Sequence, residues 1–489
     1  MGKYILTIDR GQSGIKAAFC SINAKVLKVE TCKCEPIRSR YPGWAEQDMD
    51  LIWGQTVSLI RKLFENSDIE PKDVAAVSFS GQGGGNFLVS EEGRAVYPGV
   101  LSLDNRHEEI ADFFSKPGKV PRTIAFMRWL KEKEPEIYGR VRWILGSKDW
   151  IRYCLTGKAY ADMSDPAVPV DIETGAYQLE CIHIAGVPEC EKKLPPLVYA
   201  CEVCGKVTKK AADETGLHAG TLVVAGAHDM IACSLGAGGI RQGHLSVIMG
   251  TMGINIGVAD KDTRIAESDV SGESFMFGGA VKGTRMITTS IGSGCNTMDF
   301  FLDLLFPYEL KEAKEQGIGI YELLEKKLCG KKPCQVIFQP YLLGTFYNSS
   351  AKAGFLGITM QTTREDLILA LFQGICISMC VEIEKLEKKI HKFNDIWLVG
   401  GGSRSRIWGQ MFADVLKRPV HICDTGEVGC RGAAICAGIA LGYYTTEQDF
   451  PKPRPAVIYK PDTRYAGDYE RQIEKYKKAY EAGVSIWKM

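Results

Sequence analysis

Asp229 stands where an apolar stretch, Thr221 to Gly226, runs into helix-forming sequence through Ala227-His228-Asp229-Met230. A carboxylate at such a junction has two uses. It caps the helix by accepting from its free N–H groups, or it faces a ligand crevice at the end of a strand and takes a proton as a general base. His228 reads as a packing or hydrogen-bonding histidine. Asp9 ends another apolar run, just before Gly11-Gln12-Ser13-Gly14, where a carboxylate can hold magnesium directly or through water. Lys16, seven residues on, brings a positive charge. The alternatives are an aspartate bonding its own turn and a solvated lysine.

Glycines supply the second kind of chemistry. Ile5 to Phe19 reads as strand, GxxG turn, strand, and Leu245 to Val258 repeats that pattern around Gly250-Thr251-Met252-Gly253. A hairpin tip built of glycine lets backbone N–H groups approach an anion without side-chain obstruction. Either hairpin alone is an ordinary one; two at matching places suggest a polyphosphate held by both. Trp397 to Arg406 reads as a strand, the three glycines Gly400-Gly401-Gly402, and Ser403 as N-cap of a helix through Trp408, a place suited to a phosphate or a flat base. Neither GxxxxGK[ST] nor GxGxxG occurs, so a P-loop, a dinucleotide dehydrogenase and a protein kinase are disfavoured.

These groups need strands and helices to position them. Trp53, Val57, Ile60 and Phe64 recur at helical spacing, as do Trp408, Met411, Phe412, Val415 and Leu416, and each set predicts one buried helix face. Thr362 with Glu365 predicts a capping box opening a long apolar helix through Leu369, Leu371 and Ile375. Tyr465, Tyr469, Ile473, Tyr476 and Tyr480 predict a last amphipathic helix. Strands and helices mix in both halves, so an α/β fold of two domains is expected, cut near Gly238 to Gly243 into 1–242 and 243–489.

Bulk composition narrows the partner. Lys plus Arg total 60 against 59 for Asp plus Glu, a balance that offers no field for nucleic acid or an anionic membrane. The first apolar run is broken at Asp9, too early for a secretory leader, and no later stretch reads as a membrane span, so a soluble cytoplasmic protein is expected. The 17 cysteines suit free buried thiols. Cys181, Cys190, Cys201 and Cys204 leave a structural metal open, although their spacings are not those of a usual zinc knuckle.

Taken in order, these segments resemble the FGGY family of carbohydrate kinases over essentially the whole chain. Asp9 to Lys16 looks like its first phosphate motif, Gly250-Thr251 its second, Gly400 to Ser403 its adenosine motif, and Asp229 stands at the place of its catalytic aspartate. Gly43-Trp44-Ala45-Glu46-Gln47-Asp48 is similar to its GW-x-EQD signature, and Ser80 to Gly85 and Leu103 to Arg106 follow where the family meets sugar hydroxyls. The resemblance implies the two-domain actin-like (ribonuclease H-like) fold with a cleft between the domains, and transfer of the γ-phosphoryl group of ATP to a sugar or polyol hydroxyl. It implies Asp229 as base and substrate contact, ATP on Gly11, Gln12, Ser13, Lys16, Gly250, Thr251, Gly294, Gly401, Gly402, Ser403 and Arg406, and sugar on Trp44, Gln82, Gly83 and Asp104. Asp9 would hold magnesium, most simply through water. No nucleic-acid or membrane partner is implied, and a homodimer is compatible with it.

The run looks closest to L-xylulose kinase-like members, with erythritol kinase-like proteins near, so an L-ketopentose is the expected acceptor and erythritol or another polyol the alternative. An actin-like ATPase switch is the rival of another class. Two departures stand out. Gln12 replaces a threonine common at the first tip, and Gly83-Gly84 replaces bulkier polar pairs of the D-xylulose and glycerol kinases, which predicts a roomier pocket and poor use of those two substrates.

Overall fold

The computed structural model describes residues 3–113, 120–165, 168–259, 262–263, 275–345, 348–445 and 449–487. It divides into two compact units. The first comprises Met1–Gly236, Phe277–Thr284 and Glu427–Lys452, and the second Ala237–Met276, Arg285–Gly426 and Pro453–Met489.

In the first unit, β1 (Tyr4–Arg10) and β2 (Gly14–Ser21) form the hairpin that the glycines at 11 and 14 predict, and β3 (Val26–Lys33) extends it antiparallel. On the other edge of β1, β4 (Val74–Gly81) runs parallel, followed by β5 (Leu222–Val224) and the short β6 (Ala227–His228) on the same strand. In the second unit, β7 (His244–Met249) and β8 (Gly253–Ala259) form the second hairpin, and β9 (Arg285–Ser290) extends it antiparallel. Parallel to β7 lies β10 (Asp395–Val399), and beyond it β11 (Val420–Cys423). Each seven-stranded sheet thus contains three antiparallel strands continued by two parallel ones, in the same order, and the weak sequence repeat is a repeat of sheet topology.

Helices cover the sheets where the apolar periodicity requires. In the first unit α1 (Met49–Glu65) is capped by Asp48, and its buried stripe is Ile52, Thr56, Leu59, Ile60 and Leu63. Of the predicted face only Ile60 is fully buried; Trp53 and Phe64 pack at its margin, and the Trp53 indole donates to Glu214 at 2.7 Å. The short α2 (Ser147–Thr156) and α3 (Asp229–Gly236) add to the covering drawn from the first half of the chain.

The second unit is built around α4 (Arg364–Lys389), buried along most of its length. Its capping box is one residue beyond the predicted one: Thr363 accepts from Asp366 N at 3.2 Å and Asp366 from Thr363 N at 3.0 Å. This helix is long and apolar enough to cross a membrane by composition alone, which corrects the expectation that no stretch is. Most of its apolar window is inside the unit, as in a core helix. The helix α5 (Arg406–Leu416) buries Trp408, Met411, Phe412 and Val415, and its N-cap is Ser405, two residues after the predicted Ser403.

A single cut at 242–243 does not describe the packing. The helix α6 (Val428–Ala440) is small and apolar on nearly every side, and it packs against α3, β1 and β4 of the first unit. The last helix, α7 (Ala466–Trp487), buries Tyr469 and Tyr476 in the second.

Candidate active site

The first unit gathers Asp9, Ser80 and Asp229 at the ends of three neighbouring strands. Asp9 pairs in register with Lys16 across the hairpin and with Ser80 on β4, while His228 lies in register with Gly81 on the other side of that strand. The Ser80 hydroxyl donates to Asp9 Oδ1 at 2.7 Å. Burial pushes the Asp9 carboxyl up to about 6, and the nearby Asp229 and Glu427 carboxylates push the same way against Ser80 and Lys16. A group so placed gains from a divalent cation, and magnesium commonly takes one or two carboxylates and fills its other positions with water and phosphate. Asp9 fits that use. Among the described residues no set of three or more His, Cys, Asp or Glu forms a protein cage for a metal.

Lys16 Nζ lies 2.5 Å from Glu427 Oε2. Burial works against its ammonium, but the bond to Glu427 outweighs this and holds its pKa above the ordinary value. Glu427 was not among the residues singled out from sequence. It arrives with α6, whose start is pressed so closely onto the site that a Cβ on Gly429 would lie 3.1 Å from Asp9 Oδ2 and 3.2 Å from Ser80 Oγ. The helix also brings its positive end toward these oxygens.

Asp229 opens α3, and its Oδ1 accepts from Met230 N at 2.7 Å and lies 3.4 Å from His228 Nε2. Its side chain is 38% exposed, so one carboxylate serves the helix start and still reaches solvent. The strand end beneath it is fixed from behind. His228 N donates to Ser164 Oγ at 3.0 Å, Ser164 donates to Asp162, and Lys148 Nζ joins Asp162 at 3.3 Å and Asp149 at 2.8 Å, all of them buried. The only sequence signal for this network was the set of charges at 148, 149 and 152 on an otherwise apolar helix.

The sugar-side residues divide into two groups. Gln82 N donates to Arg10 O at 2.9 Å, and the buried Gln82 side chain has neither amide atom paired among the described residues. It is the kind of group a ligand would satisfy. At Gly83 a Cβ would lie 2.4 Å from both Asp165 Oδ1 and His228 Cδ2, so the expected extra room is already filled by those two side chains. Gly84 adopts φ +78°, which favours glycine.

Asp104 and Trp44 are spent on internal structure. Asp104 Oδ2 accepts from Ala45 N at 2.7 Å and Arg106 Nη2 at 2.6 Å, and Oδ1 accepts from Arg106 N at 3.1 Å and Nε at 2.9 Å. With two donors on each oxygen, no acceptor position is left for a sugar hydroxyl. The Trp44 ring covers the same guanidinium, 3.7 Å from its centroid to Arg106 Cζ. Both residues thus brace the Ala45–Arg106 connection, and for Asp104 this saturation speaks against the expected direct contact. Gln12 also turns to this side, its amide donating to Ser102 Oγ at 2.9 Å. Gly11 N bonds Gly14 O at 2.9 Å across the tip, and Ser13 O accepts from Cys34 N at 3.0 Å.

In the second unit the glycines form one surface. Gly250 O accepts from Cys295 N at 2.9 Å and Thr251 O from Asn296 N at 3.3 Å, so the hairpin tip is docked on the start of the helix Cys295–Leu305. Gly294 caps that helix so closely that a Cβ there would meet Gly250 O at 2.8 Å. Gly400 has φ +88°, and a Cβ there would meet Met249 O at 2.6 Å, while Gly401 is exposed with nothing near. Ser403 Oγ is turned inward to Gly400 O at 2.7 Å, and Arg406 begins α5 with its N–H on Glu325 at 2.6 Å. The named N–H groups of the two helix starts are bonded within the unit, and the surface left open is that of Gly401.

The four clustered cysteines take separate partners. Cys181 bonds Gln178 O at 3.0 Å, Cys190 meets the Tyr138 hydroxyl at 3.4 Å, Cys204 bonds Glu202 O at 3.8 Å, and Cys201 neighbours Cys436.

Comparison with known proteins agrees with this arrangement. Residues 4–236 match the N-terminal domain, and residues 245–441 the C-terminal domain, of the FGGY family of carbohydrate kinases. The chain is 28% identical to the "Probable L-xylulose kinase" of Haemophilus influenzae, covering 98% of this chain and 99% of that one. It is 26% identical to the L-xylulose/3-keto-L-gulonate kinase of Escherichia coli, over 98% and 96% of the two chains. The crystal structure of xylulose kinase from Rhodospirillum rubrum superposes with a TM-score of 0.85 at 24% identity, over 99% of this chain and 100% of that one. Two repeated sheets, each ending in a glycine tip, and family models that together span most of the sequence lead to one conclusion: the chain belongs to the FGGY family of carbohydrate kinases.

Proposed function

We propose that the protein transfers the γ-phosphoryl group of ATP to a hydroxyl of an L-configured ketose such as L-xylulose, with Asp229 as general base. The observation that carries the chemical part is the position of Asp229: a half-open carboxylate on a strand end braced by Ser164, close enough to the half-buried Asp9 for their charges to interact. The acceptor is suggested by the full-length relatives from Haemophilus influenzae and Escherichia coli.

In this reading Asp229 takes the proton of the attacking hydroxyl as the bond to phosphorus forms. Gln82 orients the acceptor through its free amide. Each unit by itself offers a glycine tip suited to phosphate, Gly11 to Gly14 in the first and Gly250-Thr251 in the second, where Gly401 also leaves a surface open to the adenine. Magnesium, held by Asp9 through water, would supply charge stabilisation of the transferring group. The reading is tested by ADP release on addition of single sugars. Release that depends on an L-ketopentose supports it, and ATP hydrolysis indifferent to every sugar and polyol overturns it.

A further inference from the structure

The sheet ladder does not by itself fix the strand end that carries Asp229. β5 stops at Val224, the chain bends at Gly226 with φ +73°, and β6 resumes for only two residues, Ala227 in register with Ser80 and His228 with Gly81. A Cβ at Gly226 would lie 2.2 Å from Phe79 O, so the bend presses the chain onto β4 and leaves room for glycine alone. Past such a break, the place of His228 and Asp229 depends on what holds them from the side.

What holds them is a set of buried charges, Lys148, Asp149 and Arg152 on α2 and Asp162 after it. Lys148 Nζ reaches Asp149 Oδ1 at 2.8 Å and Asp162 Oδ2 at 3.3 Å, and Arg152 Nη2 reaches Asp149 Oδ1 at 3.0 Å. Three arms of this network land on the strand ends of the site. Arg152 Nη1 donates to Ala225 O at 3.0 Å, just before the bend. Asp162 accepts from the Ser164 N–H at 3.1 Å and from the Ser164 hydroxyl, whose Oγ in turn accepts from His228 N at 3.0 Å, just after the bend. The Lys148 stem packs under Gly81, where a Cβ would meet it at 2.9 Å, directly before Gln82. Well-packed apolar residues stabilise a fold as well as a buried ion network does, so stability alone does not account for these charges. We infer that Ser164, held by Asp162 and Lys148, is a positioning residue for phosphoryl transfer: it touches no substrate and sets where Asp229 stands relative to Gln82. This rests on the reading of Asp229 as general base.

The test is a double-mutant cycle between Ser164 and Asp229, read by ADP release with the ketopentose that the wild-type protein turns over fastest. Ser164→Ala removes the acceptor of His228 N and no charge. Its kcat should fall about tenfold or more, since a displacement of roughly 1 Å costs up to about 10²-fold, while the KM for sugar and the ATP affinity stay within about twofold. Ser164→Thr, which keeps the hydroxyl, should recover most of the loss. In the Asp229→Asn background Ser164→Ala should have no further effect, because its influence on the rate runs through the base. Should the alanine variant not fold, Ser164→Cys, with a weaker acceptor in a similar volume, completes the same cycle. A kcat within about twofold of wild type together with a lowered Tm would make Ser164 purely structural and overturn the inference, leaving the kinase reading standing. So would a loss repeated in full in the Asp229→Asn background. Wild-type protein with no sugar-dependent turnover would overturn both.

Discussion

Glu427 holds the Lys16 ammonium at 2.5 Å across a separation of 411 residues, so the lysine beside the first glycine tip is already neutralised by a carboxylate delivered by α6. The pair is partly exposed, and such pairs contribute little to stability, about 0–1 kcal/mol. Its effect is on the local field.

Releasing Lys16 should therefore favour the nucleotide. Glu427→Gln removes a negative charge near Asp9 and frees a cation next to the tip, and ATP should bind a few-fold more tightly in an equilibrium titration at low salt. Weaker binding in a folded variant would mean that Glu427 acts through its position on α6 and not through its charge.

Asp9 ties stability to pH. Its folded-state pKa of about 6 is above the ordinary 3.8, so the native state binds more protons between those values, and this residue's contribution falls as pH rises through them. Asp9→Asn should accordingly raise Tm at pH 8 and have little effect near pH 4, with a gain on the order of 3 kcal/mol, while phosphoryl transfer is lost. Equal Tm changes at both pH values would show that the carboxyl is not destabilised in the fold.

At the second tip the fold itself leaves room for a side chain. A Cβ on Gly250 would meet only Met252 O at 3.6 Å, an ordinary contact. Gly250→Val should fold normally and weaken ATP binding, because the added side chain occupies space a phosphate needs. Unchanged affinity would remove this tip from the nucleotide site.

Asp104 should behave as a brace. Asp104→Asn breaks a buried pair with Arg106 and is expected to cost about 3 kcal/mol of stability. The KM for sugar in the surviving folded fraction should change little. A large KM effect with unchanged stability would instead make Asp104 a substrate contact.

The parts of this site that could be read from sequence are those set by local chemistry. Glycines between apolar runs marked both hairpins, and an aspartate where a strand meets a helix marked Asp229. What depends on distant packing could not be read. Nothing near residue 427 announces that α6 crosses back to β1, and nothing at Gly83 shows that His228 and Asp165 fill the space its missing side chain leaves. The Asp104 clamp looks like a free carboxylate until Ala45 and Arg106 are seen to saturate it. The cap at Thr363 was missed by one residue because Thr362 and Thr363 each have an acidic residue three positions on.

The central claim is that Asp229 is the base, and the turnover of Asp229→Asn tests it most directly. Asparagine keeps the size of the side chain and its oxygen for Met230 N, so the start of α3 should survive. A positioned base contributes about 10²–10⁴-fold, and kcat with the best acceptor should drop by that order while ATP affinity stays nearly unchanged. A kcat within a few-fold of wild type would contradict the account and leave Asp229 as the cap of its helix.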